Sequence, residues 1–425
     1  MTIKELHNIY LKANSVCTDT RKINDNDLFF ALKGDNFDGN KFAKQALEAG
    51  AGYVVVDDPN VVKSDRYILV EDVLRSLQLL ATFHRRYLGI KILSLTGSNG
   101  KTTTKELINC VLSSGFKTSA TIGNLNNHIG VPLTLLSMDN STEIGIVEMG
   151  ANHQKEIEFL CSIAEPDFGY ITNFGKAHLE GFGGVEGVIK GKTELYSYLK
   201  SSNGLIFVNT EDPIQVDKVG AYTPTFKFGQ SDNKDTQIEF MSADPFVKVS
   251  YQGLTIQSQL IGAYNFGNIS AAIAIGHYFS IHKEHIKNAI ESYNPSNNRS
   301  QIITNENLTI ILDAYNANPS SMKAALDNFS KLSSTKKTAI LGDMFELGND
   351  AETEHQAIAD YATSLGIDSV ILVGENFYRV SNESAKKYET FDALKTALDI
   401  NSNDSQTLLI KGSRGMALER ILDTL

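Results

Sequence analysis

The stretch LSLTGSNGKTTTKEL, Leu93 to Leu107, constrains this chain more than any other. KILSLTG is apolar enough to be a buried strand, and KTTTKELINCVLSSG has the pattern of the helix that follows it. A strand, a glycine-bearing loop and a helix N-terminus in that order form a phosphate cradle. Gly97 and Gly100 let the backbone turn sharply, and the first N–H groups of the helix face the anion. Lys101 would reach the terminal phosphates and the Thr102 hydroxyl would ligate Mg²⁺. The longer P-loop pattern G-x-x-x-x-G-K-[ST] is not met, because Leu95 occupies the outer glycine position. A solvated lysine at a plain strand-to-helix turn would leave the same short pattern, so the loop alone does not fix the chemistry.

Around that loop, apolar runs alternate with helical patterns, which predicts an α/β protein with mostly parallel sheets. The length of 425 residues suits about three domains. Residues 1–88 carry the strands DLFFAL and GYVVVD and a helix near Lys41–Ala49. Residues 89–296 carry KILSLTG, IGIVEM, FGYITN and GLIFVN, with helices in KEIEFLCSIA, VIKGKTELYSYLK and NISAAIAIGHYFS. After the polar break SYNPSNNRS, residues 297–425 carry LTIILDAY, KTAILGD, SVILVG and QTLLIKG, each trailed by a helical pattern. A central P-loop ATPase-like sheet and a C-terminal Rossmann-like domain are expected, with ligands at the strands' C-terminal ends.

Bulk properties remove several classes. The formal charge of −11 argues against a general nucleic-acid binder, and no run approaches the roughly 18 apolar residues of a membrane span. MTIKELHNIY has no apolar core of a secretory signal, and Cys17, Cys110 and Cys161 show no paired spacing. A cytoplasmic monomer with reduced thiols is expected.

Candidate chemical groups lie at strand ends. Glu148 closes IGIVEM, well placed to hold a cation, and His178 sits in the glycine-rich loop ITNFGKAHLEGFGG. Lys190 and Lys192 follow in a helix. Asp313 ends LTIILDAY ahead of Asn316, Asn318 and Ser320, and Lys411, Ser413 and Arg414 occupy a similar loop after QTLLIKG. Each alone is also what a solvated charge or a helix cap would give. An Arg and a Lys beside a helix start can hold a carboxylate through charge-assisted hydrogen bonds.

Taken together, TGSNGKTT, GNLNNHIGVPLTLL, EMGANHQKEI, ITNFGKAHLEGFGG, LDAYNANPSSM, LGDMFELG and KGSRGMALERI resemble the Mur ligases, ATP-dependent amide ligases of peptidoglycan assembly. The resemblance runs in order along nearly the whole chain. It is strongest to the branch that joins D-alanyl-D-alanine to UDP-N-acetylmuramoyl-tripeptide through an acyl phosphate.

That resemblance implies the site. Gly97, Ser98, Asn99, Gly100, Lys101, Thr102 and Thr103 would hold the ATP phosphates, and Asn265 and Asn268 would complete the nucleotide site with Arg299, Asp313, Tyr315 and Asn316. Two Mg²⁺ would be held by Thr102, Glu148, His178 and a CO2-derived carbamate on Lys192. Lys101, Lys192, His178 and Glu148 would be the catalytic groups. Thr18, Asp19, Thr20 and Arg21 would bind the uridine nucleotide, with Asn40 where the family often has histidine. Asn124, Asn126, Asn127 and His128 would line the acceptor path, and Lys411, Ser413 and Arg414 would receive the dipeptide carboxylate. Tyr264 replaces a family histidine, and Asn298 stands where glycine usually precedes the arginine.

Rival readings differ by sequence. A sibling that adds a diamino acid carries Asp-x-Pro-Arg, and this chain has no Pro-Arg pair. Folylpolyglutamate synthetases lack a unit like residues 1–88 ahead of the P-loop. A small-molecule kinase would yield a stable phosphoproduct, and a nucleotide-gated binding module would yield no amide.

Overall fold

The computed structural model describes residues 1–231, 234–295, 298–305, 307–398 and 405–424. The expected junction between 296 and 297 lies outside them. Three α/β parts follow one another along the chain, as expected.

In the first part, the strands Val16–Cys17, Leu28–Phe30, Tyr53–Val56 and Tyr67–Leu69 pair in that order, all parallel. The expected helix near Lys41 begins later. Asn40 lies in a 3-10 turn, Gly39–Phe42, and the α-helix is Ala43–Glu48. The Val73–Leu88 helix, capped by Asp72 and ended by left-handed Gly89, then leads into the P-loop strand. Its apolar face packs on the Gly130–Leu136 and Glu156–Ala164 helices, so the first and second parts share one core.

The middle sheet has seven parallel strands. Lys91–Thr96 lies between Ile144–Glu148 on one side and Phe168–Ile171 on the other. The chain builds one side of the sheet after Lys91–Thr96 and then crosses to the other. That reversal opens a crevice at the strands' C-terminal ends, where the P-loop sits. Both faces are covered, which is why these strands read as continuous apolar runs.

Two features depart from the expectation. VIKGKTELYSYLK forms two helices, Val185–Lys192 and Glu194–Ser202. At the break the Thr193 hydroxyl donates to the Ile189 carbonyl at 2.8 Å, a back-bond that bends helices. A three-stranded antiparallel sheet, Glu239–Ala243, Phe246–Tyr251 and Leu254–Ile261, was also not among the expected strands.

The third part is a six-stranded sheet, parallel except for its edge strand Gln301–Asn305. The helix expected after the Gln406–Lys411 strand is instead two 3-10 segments, Arg414–Met416 and Leu418–Thr424.

Candidate active site

The P-loop is shaped by contacts that only glycine permits. Gly97 has φ 144°, and a Cβ there would stand 2.0 Å from Thr172 Oγ1. Gly100 has φ 78°, and its Cβ would stand 2.5 Å from Asn268 Oδ1. Asn268 also accepts from the Thr104 hydroxyl and donates to Asn265 Oδ1 at 2.7 Å. The two asparagines therefore buttress the loop from behind. Ser98 donates to the Gly175 carbonyl at 2.7 Å, and the Asn99 N–H donates to Asn173 Oδ1. The helix Lys101–Leu112 starts at this point, leaving its first N–H groups without partners inside the helix. Lys101 Nζ folds onto the Gly97 and Ser98 carbonyls at 2.8 and 3.2 Å. Burial lowers its pKa, against the opposing pull of Glu148.

Glu148 is only 1% exposed. One carboxylate oxygen accepts from Thr102 Oγ1 at 2.9 Å and the other from Asn126 Nδ2 at 2.8 Å. A buried carboxylate touching the P-loop hydroxyl is a hard oxygen pair that suits Mg²⁺, an ion that keeps water and phosphate as its remaining ligands. No group of three or more His, Cys, Asp or Glu is gathered for a metal among the described residues, so a protein-only cage is not what this site offers.

Lys192 is 1% exposed, its Nζ donating to the Ala151 carbonyl at 3.1 Å and lying 4.9 Å from the centre of the Phe182 ring. Burial first, then the charge of Lys101, pushes its pKa well below the ordinary lysine value. Lys190 is exposed. His178, in left-handed backbone at φ 52°, meets the Glu346 carboxylate of the third part at ion-pair range but off the direction of a straight hydrogen bond. The imidazole holds the Glu346 carboxyl below its ordinary value.

The third part closes over this cradle. Arg299 lies 3.6 Å above the Tyr315 ring. Asp313 accepts from the Ser300 N–H at 3.1 Å and from Lys411 Nζ at 2.6 Å. Asn298 has φ 52°, the conformation a glycine would supply, and its carbonyl accepts from the Tyr315 N–H. Tyr264 reaches across to Ser300, hydroxyl to hydroxyl at 2.9 Å. The result is one cleft of about 1190 Å³.

Most expected residues line that cleft: Ser98 to Thr103, Asn124, Asn126, Asn127, His128, Glu148, His178, Asn265, Asn268, Arg299, Asp313, Tyr315, Asn316 and Lys411. Lys192 lies beneath it, against Ala151 of its wall. Others are elsewhere. Arg21 is exposed and pairs with Asp19 through two hydrogen bonds, and neither residue, nor Thr18 or Thr20, lines the cleft. Asn40 is buried and tied to Asp38 and Asp57, a bracing role within the first sheet. Arg414 is exposed and holds Glu419 at 3.3 Å, and Ser413 is buried under the Phe345 N–H. Sequence reasoning missed Asn173, Leu74, Gln78, Lys155 and Phe159, all in the wall. Asn173 had a signal in its place just past the apolar strand Phe168–Ile171, and Lys155 lay in the quoted stretch EMGANHQKEI.

A phosphate loop on a parallel sheet, roofed by a separate part that brings an arginine and an aspartate, defines the site of an ATP-using enzyme. The chain belongs to the Mur ligase family. It matches the Mur ligase middle domain over residues 95–276, the Mur ligase glutamate ligase domain over 298–414 and the Mur ligase family catalytic domain over 12–85. It is 37% identical to the UDP-N-acetylmuramoyl-tripeptide--D-alanyl-D-alanine ligase of Bacillus subtilis, covering 97% of this chain and 93% of that one. The enzyme of the same name in Escherichia coli is 33% identical, covering 99% and 95%. Among solved structures, MurF from Acinetobacter baumannii superposes with a TM-score of 0.86 at 28% identity, covering 99% of this chain and 98% of that one. MurF ligase from Thermotoga maritima in complex with ADP gives 0.84 at 25% identity, covering 98% and 97%.

Proposed function

We propose that this chain joins D-alanyl-D-alanine to the terminal carboxylate of UDP-N-acetylmuramoyl-tripeptide, using ATP, to make the pentapeptide precursor of peptidoglycan. The observation that carries the reading is the single cleft where the P-loop, Glu148 and His178 meet Arg299, Asp313 and Lys411 of the third part. A kinase needs one acceptor beside its nucleotide; this cleft has walls from all three parts, including Leu74 and Gln78 of the first.

The chemistry follows from what an amide costs. A carboxylate must first be activated, so the γ-phosphoryl passes to it, giving an acyl phosphate and ADP. The dipeptide amine then attacks the acyl carbon and phosphate leaves. The protein's share is positioning and charge neutralisation. The P-loop N–H groups and Lys101 take the phosphates, and moving Lys101 onto them frees the Gly97 and Ser98 carbonyls it now holds. Thr102 and Glu148 would hold Mg²⁺, which when bound offsets charge between the phosphate and the incoming carboxylate.

Lys192 suits carbamylation because its buried amine is pushed toward the neutral form, which is the form that adds CO2 and releases a proton. The product is an anion in place of a neutral amine beside Lys101, a negative charge for the metal site that His178 borders. Arg299 and Asp313 would take the adenosine end, with Tyr315 and Asn316 beside the base. Asn124, Asn126, Asn127 and His128 would guide the tripeptide, and Lys411, Ser413 and Arg414 would hold the dipeptide carboxylate.

Residues 1–88 would bind the uridine nucleotide through Thr18, Asp19, Thr20 and Arg21, ahead of an ATP domain at 89–296 and a closing domain at 297–425. Among the described residues no helix is long and apolar enough to cross a membrane, and the three cysteines are free. Free thiols suit a reducing compartment, and the chain would work as a monomer in the cytoplasm. Purified protein with Mg-ATP, D-alanyl-D-alanine and UDP-muramoyl-tripeptide should release ADP and phosphate only with both acceptors present. A stable phosphoproduct with one acceptor would favour a kinase instead.

A further inference from the structure

The motif LGDMFELG lies outside the roles given so far, yet it links the 412–414 loop to His178 in the cleft wall. Its segment, residues 343–347, follows the Lys337–Gly342 strand and is pinned on one side by His355, whose Nε2 accepts from the Met344 N–H at 2.9 Å. On the other side it is stitched to the 412–414 loop. Ser413 N–H donates to the Asp343 carbonyl at 3.1 Å, and the Phe345 N–H donates to Ser413 Oγ at 2.9 Å. The next residue, Glu346, leaves the third part altogether and meets His178.

The same stretch of the middle part makes the neighbouring crossings. The Lys176 N–H donates to Ser320 Oγ at 2.9 Å, and Lys176 Nζ reaches Glu354 at 2.5 Å. Glu346 and His178 are both held in left-handed backbone, at φ 61° and 52°. Side chains pay for that conformation only where surrounding structure fixes it, and such residues gather at clamps and switches. Glu346 itself is half exposed, so its carboxylate is not needed to fill a core.

We propose that Glu346 is a positioning residue that couples the 412–414 loop, where the dipeptide carboxylate would bind, to the phosphate end of the cleft. The Ser413 loop, gripping a carboxylate, fixes Phe345, and through it the Glu346 carboxylate that orients His178. His178 lies three residues past Gly175, whose carbonyl the P-loop Ser98 hydroxyl holds. Occupation of one end therefore favours the closed arrangement at the other, and the coupling is reciprocal. This inference rests on the ligase reading for what the two ends bind.

The test measures the affinity for the non-hydrolysable analogue AMP-PNP with Mg²⁺ by calorimetry, with and without saturating D-alanyl-D-alanine, in wild type, E346A and E346Q. In wild type the dipeptide should tighten the nucleotide at least fivefold. In E346A that factor should fall to within twofold of one, while the affinity without dipeptide stays within twofold of wild type. E346Q keeps an oxygen to face His178 and should recover part of the factor, which a merely structural residue would not do. An undiminished factor in E346A, or no factor in wild type that nevertheless makes pentapeptide, overturns the coupling alone. A wild type that makes no pentapeptide at all overturns the ligase reading instead. Thermal unfolding of E346A within a few degrees of wild type shows that the fold is retained.

Discussion

At Gly97 the missing side chain is itself the feature, since a Cβ would sit 2.0 Å from Thr172 Oγ1 and the backbone lies at φ 144°. Gly97→Ala should lose nucleotide affinity by at least tenfold in calorimetry; unchanged binding would mean the loop does not grip phosphate. Lys192→Ala should abolish turnover, and near-normal turnover would remove Lys192 from the site. Retention of the fold is checked by circular dichroism, because removing a buried lysine also opens space in the core. Arg414 pairs with Glu419 at the surface, its guanidinium 5.7 Å from the centre of the Tyr315 ring in the cleft wall. Arg414→Ala should weaken dipeptide use by about 1.5–3 kcal/mol; an unchanged dipeptide KM and kcat would make it a surface ion pair only.

At this scale much was legible. Short spacing beside a strand and a helix located Gly97 to Thr103, and strand ends located Glu148 and Asp313. Burial was not legible. In KGKTELY the family resemblance singles out Lys192, but no periodicity puts Lys190 on the surface and Lys192 in the interior until the helix is docked. Likewise the partner of His178 lies 168 positions away on another part, as |i − j| from 178 to 346 shows.

At the scale of elements, the Pro319–Lys331 helix shows how one residue serves two ends. Asn318 caps it reciprocally with Ser321, and its Nδ2 donates to Asn99 Oδ1 of the P-loop at 2.7 Å. Asn318→Ala should cost about 1 kcal/mol of stability as a lost cap. It should also raise the KM for ATP, and a stability loss with unchanged ATP kinetics would confine Asn318 to capping. The strands of the middle sheet were readable because burial on both faces makes them continuous apolar runs. The Phe246–Tyr251 strand alternates buried and half-buried positions, a weaker signal in a search for continuous runs. The C-terminal segment LERILDT has helical apolar spacing, yet left-handed Ala417 precedes it and the chain settles into 3-10 turns.

For the whole molecule, the join between the first two parts is polar at its heart. His7 Nε2 and His84 Nδ1 lie 3.0 Å apart, and Tyr10 donates to the Leu136 carbonyl at 2.8 Å while its hydroxyl also lies 3.2 Å from His84 Nε2. Burial lowers both histidine pKa values, against weaker opposing pulls on His84 from the Met138 carbonyl and then Asp139. The unfolded chain therefore binds protons that the folded one does not, so stability falls as pH drops below the ordinary histidine value of about 6.5. Thermal unfolding between pH 7.5 and 5.5 should show that slope, and His84→Gln should flatten it. A slope unchanged by His84→Gln would place the titration elsewhere. No sequence pattern announced this join, because it depends on which helix faces meet.

The same is true of the cleft, which exists only once the third part is laid over the P-loop. The most direct test of its purpose is product analysis by mass spectrometry. Purified chain should be given Mg-ATP, D-alanyl-D-alanine and UDP-muramoyl-tripeptide carrying either lysine or meso-diaminopimelate as third residue. The account predicts UDP-muramoyl-pentapeptide with one ADP and one phosphate per bond, from at least one of the two. No pentapeptide from either tripeptide would contradict it.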